Sequence, residues 1–75
     1  MKNYHQILRE LREDADLTQQ DIATLLNTSK QYYGKYELNK RPLPIEHLIT
    51  LAKFYKVPAD YILGLTNVKK PYPKP

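Results

Sequence analysis

The chain contains no cysteine, so no disulfide can staple it and no thiolate can bind a metal. Its two histidines, His5 and His47, stand forty-two positions apart and read as ordinary surface or boundary residues. Asp14, Asp16 and Asp21 come nearest to a carboxylate cluster. They straddle a helix break and lack the glycine and closing glutamate of a calcium loop. No metal and no cofactor are expected. A nucleophile–base pair or a phosphate-cradling loop cannot be assembled either, which argues against an enzyme. No apolar run approaches the ~20 residues of a membrane span. The opening MKNYHQILRE carries charge where an export signal needs an apolar stretch, so secretion by that route is excluded and a cytoplasmic location is expected. Strand signals are missing too: no segment alternates apolar and polar residues, and no hairpin turn is encoded.

What remains is a short chain that must fold on helix packing or self-association. Seventy-five residues make one domain, and a chain of this size buries only roughly 60% of its unfolded surface. The formal charge is +4, and its distribution says more than its size. Residues 1–26 sum to −2, residues 27–41 to +3 and residues 42–75 to +3. An acidic start and a basic middle suit one face built for an anionic partner.

Apolar spacing predicts five helices, near residues 3–14, 18–26, 29–38, 45–55 and 59–63. Tyr4, Ile7, Leu8 and Leu11 stand at i, i+3, i+4 and i+7. Thr18 and Asp21 form a capping-box-like start for the second helix, which buries Ile22, Ala23 and Leu26 and stops at Asn27. Thr28 or Ser29 caps the third helix, and Asn39 ends it; asparagine tolerates the left-handed conformation of helix stops. Two short helices joined by so little chain make a helix-turn-helix. Pro44 suits the first turn of the fourth helix, where Ile45, Leu48, Ile49, Ala52 and Tyr55 repeat at helical spacing. Lys56-Val57-Pro58 breaks the chain before the fifth helix, which Gly64 closes. The domain is expected over residues 1–66, with a basic, proline-rich and mobile tail at 67–75.

The third helix divides into two faces at 100° per residue. Tyr33, Tyr36 and Ser29 fall together on a side suited to the core, with Tyr32 and Glu37 flanking. Lys30, Gln31, Gly34, Lys35 and Leu38 occupy the other side. A mid-helix glycine costs roughly 1 kcal/mol relative to alanine, but here it lets the helix axis approach whatever this face touches. The major groove of DNA suits such a face: lysine donates to guanine O6 and N7, and glutamine pairs with adenine N6 and N7. Lys40 and Arg41, just past the helix, suit flanking phosphates. Gln19 opens the second helix, where its amide and free backbone N–H groups could hold a phosphate.

These residues in this order resemble the phage-repressor, Cro-like (Xre) helix-turn-helix family over about residues 3–65. The matching features are Leu17-Thr18-Gln19, Ile22-Ala23, Ser29, Glu37, Ala52 and the run Val57-Pro58-Ala59-Asp60-Tyr61-Ile62-Leu63. The resemblance implies an all-α, compact, lambda-repressor-like domain of five helices whose third helix enters the major groove. It implies base-reading roles for Lys30, Gln31 and Lys35 and a phosphate contact at Gln19; Gly34 is expected to share the base-reading face, and Ser29, Tyr32, Lys40 and Arg41 are expected at phosphates. Arg12 falls where family members often carry an arginine paired with the glutamate matching Glu37. The pattern departs from the family at Asn27 and Asn39, which replace glycines, and at Tyr33 and Tyr36, which replace smaller aliphatic residues.

The function implied is a transcriptional regulator, a repressor that binds a pseudo-palindromic operator on double-stranded DNA as a homodimer. Its two recognition helices would stand about 34 Å apart. Tyr61, Ile62, Leu65 and Val68 are the dimer contacts expected. The alternative is an antitoxin-type module that holds a toxin partner and also binds DNA, with Leu25, Phe54 and Tyr72 as candidate partner contacts.

Overall fold

The computed structural model describes residues 3–69. Five helices follow one another: α1 (Tyr4–Asp14), α2 (Gln19–Leu25), α3 (Lys30–Glu37), α4 (Ile45–Tyr55) and α5 (Ala59–Ile62). Among the described residues there is no strand, and no helix is long and apolar enough to cross a membrane. No group of three potential metal ligands comes together among them either. Most of the tail expected at 67–75, Tyr72 included, lies outside the described residues.

The helix starts are written into the sequence. Thr18 Oγ1 accepts from the Asp21 backbone N–H at 3.1 Å while Asp21 Oδ2 accepts from the Thr18 N–H at 2.8 Å. Asn3 and Gln6 make the same reciprocal box at the start of α1. Ser29 Oγ caps α3 through the Tyr32 N–H at 3.1 Å. Pro44 stands one position earlier than expected, as the N-cap of α4 rather than in its first turn.

The helix ends share one device. Each helix is followed by one residue in the left-handed region: Asp16 (φ 57°), Asn27 (57°), Asn39 (60°), Lys56 (57°) and Gly64 (80°). At every end the next N–H reaches back five residues: Leu17 to the Arg12 carbonyl, Thr28 to Ala23, Lys40 to Lys35, Val57 to Ala52 and Leu65 to Asp60, all between 2.9 and 3.1 Å. This Schellman arrangement satisfies carbonyls that would otherwise be orphaned. Asn27, Asn39 and Gly64 are readable as stops and Asp16 tolerates the same region, whereas Lys56 carries no such signal. Holding a lysine in that region costs about 1–2 kcal/mol, which the two back-reaching bonds help offset.

Ile7, Leu8, Leu11, Ile22, Ala23, Leu26, Tyr33, Tyr36, Leu51, Val57 and Ile62 form a single core. α2 packs on α3 most extensively; α1 lies against α3 and α5, and α4 against α5. Three expectations are corrected here. His5 is buried, not superficial: its Nδ1–H donates to the Tyr36 carbonyl oxygen, tying α1 to the end of α3. Its ring also lies against Tyr4, with centroids 3.8 Å apart and the planes tilted by 37°. Ile62 is wholly enclosed by the core and cannot be a dimer contact.

The third correction concerns α4. Its fully buried residue is Leu51, flanked by partly buried Leu48, Ala52 and Tyr55, while Ile45 and Ile49 stay 67% and 47% exposed. The apolar residues of α4 span more than half its circumference, so periodicity alone could not select the inward stripe. Leu51→Ala should therefore cost about 2–5 kcal/mol. Ile45→Ala should stay within about 0.5 kcal/mol. Denaturant unfolding of both variants checks the assignment, and equal losses would contradict it.

Candidate nucleic-acid interface

The inward side of α3 is built around one carboxylate. Arg12 Nε and Nη2 donate to the two oxygens of Glu37 at 2.8 and 3.1 Å, a planar fork with both side chains largely enclosed (13% and 3% exposed). The remaining Arg12 nitrogen, Nη1, donates to the Leu17 carbonyl at 3.0 Å. Gln19 Nε2 adds a further bond to Glu37 Oε1 at 3.2 Å. Glu37 thus joins α1, the α1–α2 turn, α2 and α3 at one point. Tyr33 and Tyr36 pack beside it, ring edge to ring face at 6.2 Å, fully inside the core.

Burial alone would push the Glu37 carboxyl up. Hydrogen bonds from Arg12 and Gln19, the nearby Tyr33 hydroxyl and the guanidinium charge outweigh it and hold the carboxyl below the ordinary glutamate range. The Tyr33 hydroxyl makes no well-formed hydrogen bond among the described residues, yet lies close enough to favour the charged carboxylate. Burial, reinforced by that carboxylate, raises the Tyr33 phenol, and burial likewise pushes Tyr55 up to about 12. Its bond to Glu37 raises Arg12 further, so the pair stays charged at neutral pH.

The outward side is a shallow, open cleft lined by Gln19, Lys30, Gln31, Gly34, Lys35, Leu38 and Lys40. Three ammonium groups and two amides meet there, and no carboxylate lines it. The one acidic residue of α3 is Glu37, turned inward onto Arg12. Gly34 has ordinary helical backbone, and a Cβ placed on it would meet Gln19 Oε1 at 3.4 Å, within normal contact. The fold therefore has room for the methyl group of an alanine at Gly34 and gives no reason for glycine.

The structure brings most of the expected residues together, with differences of role. Lys30, Gln31, Gly34 and Lys35 share the cleft with Lys40 and Gln19. Gln19 is also a structural donor to Glu37, and the Ser29 hydroxyl is engaged as the α3 cap. Tyr32 and Arg41 stand beside the cleft rather than in its lining, with the Arg41 guanidinium 4.7 Å from the Tyr32 ring centre. Leu38, on the outward face by its helical position, is 65% exposed within the lining. Its large exposure could not be read from spacing alone, because a residue at a helix end can turn either way.

Five short helices, α2 and α3 joined through Leu26–Ser29, and a cationic outward face on the second of them define a helix-turn-helix domain. The chain belongs to the Helix-turn-helix family, whose pattern matches residues 8–62. It is 41% identical over 68 residues to the uncharacterized HTH-type transcriptional regulator YobD of Bacillus subtilis, covering 91% of this chain and 61% of that protein. It is 35% identical to the HTH-type transcriptional regulator ImmR of the same organism, over 84% of this chain and 50% of ImmR. The cryptic phage CTXphi transcriptional repressor RstR of Vibrio cholerae is 37% identical over 68% of this chain and 46% of RstR. The chain thus spans about half to three fifths of the length of these relatives. No solved structure matches it.

A carboxyl held below its unfolded value of about 4.3 contributes stability that is complete above that value. The contribution is lost as pH falls through the lower folded value. Glu37→Gln should flatten this part of the acid limb of stability against pH. At neutral pH the same change should cost about 3 kcal/mol, because Arg12 is left without its counter-charge. Urea unfolding at several values between about pH 2 and 7 measures both effects, and an acid limb identical to the parent's would refute the role of Glu37.

Proposed function

We propose that this domain binds double-stranded DNA sequence-specifically through the outward face of α3, acting as a transcriptional regulator, a repressor, with no catalytic role. The observation that carries the reading is the carboxylate-free cleft in which Lys30, Lys35 and Lys40 surround Gln31 and Gly34. Lysine and glutamine at the centre suit guanine and adenine edges, and Leu38 offers an apolar surface for a thymine methyl. Lys40 and Arg41 at the margin suit phosphates, as do the cap of α3 at Ser29 and the adjoining Tyr32 and Gln19. Gly34 supports the same reading. It weakens the helix by about 1 kcal/mol at a position where the fold would accept alanine, so the requirement for a bare backbone comes from what the face touches.

A pseudo-palindromic operator and a homodimer complete the proposal. Leu65 and Val68 are 68% and 55% exposed, and Tyr61 is half-buried beside them, which leaves three of the four expected contacts available for a second copy. Repression is supported by the phage repressor among the relatives. An antitoxin-type module is the second reading, favoured by exposed Leu25 and Phe54 as contacts for a protein partner.

Selection of random duplexes on the purified domain supplies the operator. Gln31→Ala or Lys35→Ala should then lose about 1–3 kcal/mol of discrimination at one or two positions per half-site. Lys40→Ala should weaken operator and random DNA alike and reduce the salt slope by about 1. If Gln31→Ala and Lys35→Ala lower both affinities equally, the face does not read sequence.

Gly34→Ala separates fold from function in one substitution. It should raise stability by up to about 1 kcal/mol while weakening operator binding. An alanine variant that binds the operator as tightly as the parent would show that no close approach occurs at Gly34. Unfolding and binding are measured on the same preparation.

A further inference from the structure

Tyr32 sits in the first turn of α3 and is 40% exposed as a residue. Two cations share that ring: Lys35 Nζ at 5.5 Å from its centre and the Arg41 guanidinium at 4.7 Å. They arrive by different routes. Lys35 is three residues on along α3 and meets Tyr32 by helical geometry. Arg41 comes from beyond the helix, where left-handed Asn39 reverses the chain and the Lys40 N–H bonds the Lys35 carbonyl at 2.9 Å. That turn returns the next side chain to the flank of α3.

Two positive side chains held near each other repel, and a protein commonly offsets this with a carboxylate. Here neither Lys35 nor Arg41 takes part in an ion pair among the described residues; the pairs found are Arg9–Glu13 and Arg12–Glu37. An aromatic face attracts cations through its quadrupole and adds no charge. The ring therefore orders both side chains and leaves their full charge for an anion, whereas a carboxylate would order them and cancel it. Ordering before binding removes an entropy cost that long side chains otherwise incur on immobilisation.

We propose that Tyr32 is a positioning residue for DNA binding, its ring coupling the base-reading Lys35 to the phosphate-anchoring Arg41. This rests on the DNA-binding reading above and assigns Tyr32 a role other than direct phosphate contact. The phenol oxygen is dispensable; the ring face is required.

The test uses the full chain with Tyr32→Phe, Tyr32→Leu, Arg41→Ala and the Tyr32→Leu/Arg41→Ala double variant, each titrated with the selected operator at several salt concentrations. Tyr32→Phe should bind within about twofold of the parent, and Tyr32→Leu about tenfold more weakly. The salt slope of Tyr32→Leu should stay that of the parent, because the same cations still reach the same phosphates, whereas Arg41→Ala should lower it by about 1. The double variant should be clearly less impaired than the product of the two single losses. In the free protein, ring-current shifts of the Arg41 side-chain protons should be present in the parent and in Tyr32→Phe and absent in Tyr32→Leu.

A loss in Tyr32→Phe equal to that in Tyr32→Leu would overturn the proposal in favour of a hydroxyl–DNA contact. A slope change in Tyr32→Leu like that of Arg41→Ala, fully additive losses, or missing ring-current shifts would also overturn it. If the parent shows the shifts but enriches no duplex, the DNA-binding reading itself falls and takes the coupling with it. If the parent binds its operator and Tyr32→Leu binds equally well, only the coupling falls.

Discussion

The fork between Arg12 and Glu37 is the contact on which the arrangement of the other helices depends. α3 has eight residues, too few to be stable by itself in water, and it carries a glycine in its middle. Its orientation must come from outside. Glu37 meets α1 through Arg12 and α2 through Gln19, and Arg12 also holds the carbonyl of Leu17 where the chain turns from α1 to α2. His5 adds a second tie from α1 to the α3 terminus. Satisfying the carboxylate inside the protein has a consequence on the opposite side. The single acidic group of α3 is withdrawn, and the cleft left behind carries lysines and no carboxylate.

Much of this was legible from residue types. Thr18 with Asp21, Ser29, Asn27, Asn39 and Gly64 each encode a start or stop within a few neighbouring residues, and these elements appear where expected. The two faces of α3 were legible for the same reason, since eight helical residues fix their relative directions by geometry alone. The Arg12–Glu37 pair came from family resemblance, because twenty-five positions separate the partners and local patterning does not link them. The buried state of His5 escaped for a similar reason: its partner is a backbone carbonyl thirty-one positions away, a group every residue possesses.

The inward stripe of α4 and the stack on Tyr32 were illegible for different reasons. Ile45, Leu48, Ile49, Leu51, Ala52, Phe54 and Tyr55 surround most of α4, so several rotations bury comparable apolar area, and its neighbours decide among them. The Tyr32–Arg41 contact depends on where a loop returns after Asn39. A tyrosine and an arginine nine positions apart have no fixed relation until that turn is known. Gly34 is the opposite case. Its presence was obvious in the sequence, but only the room around it shows that the core does not demand it.

The five left-handed stops also bear on how quickly the chain can find its native form. Each closes a six-residue segment with hydrogen bonds that need no partner from elsewhere in the chain, so where each helix ends is encoded locally. Packing between helices then has to stabilise these segments and set how they lie against one another, not where they stop. Domains dominated by such near-neighbour contacts fold in roughly microseconds to milliseconds. A substitution at Asn27 or Asn39 that disfavours the left-handed turn would slow folding by letting α2 or α3 overrun its end, even where the finished core is unchanged.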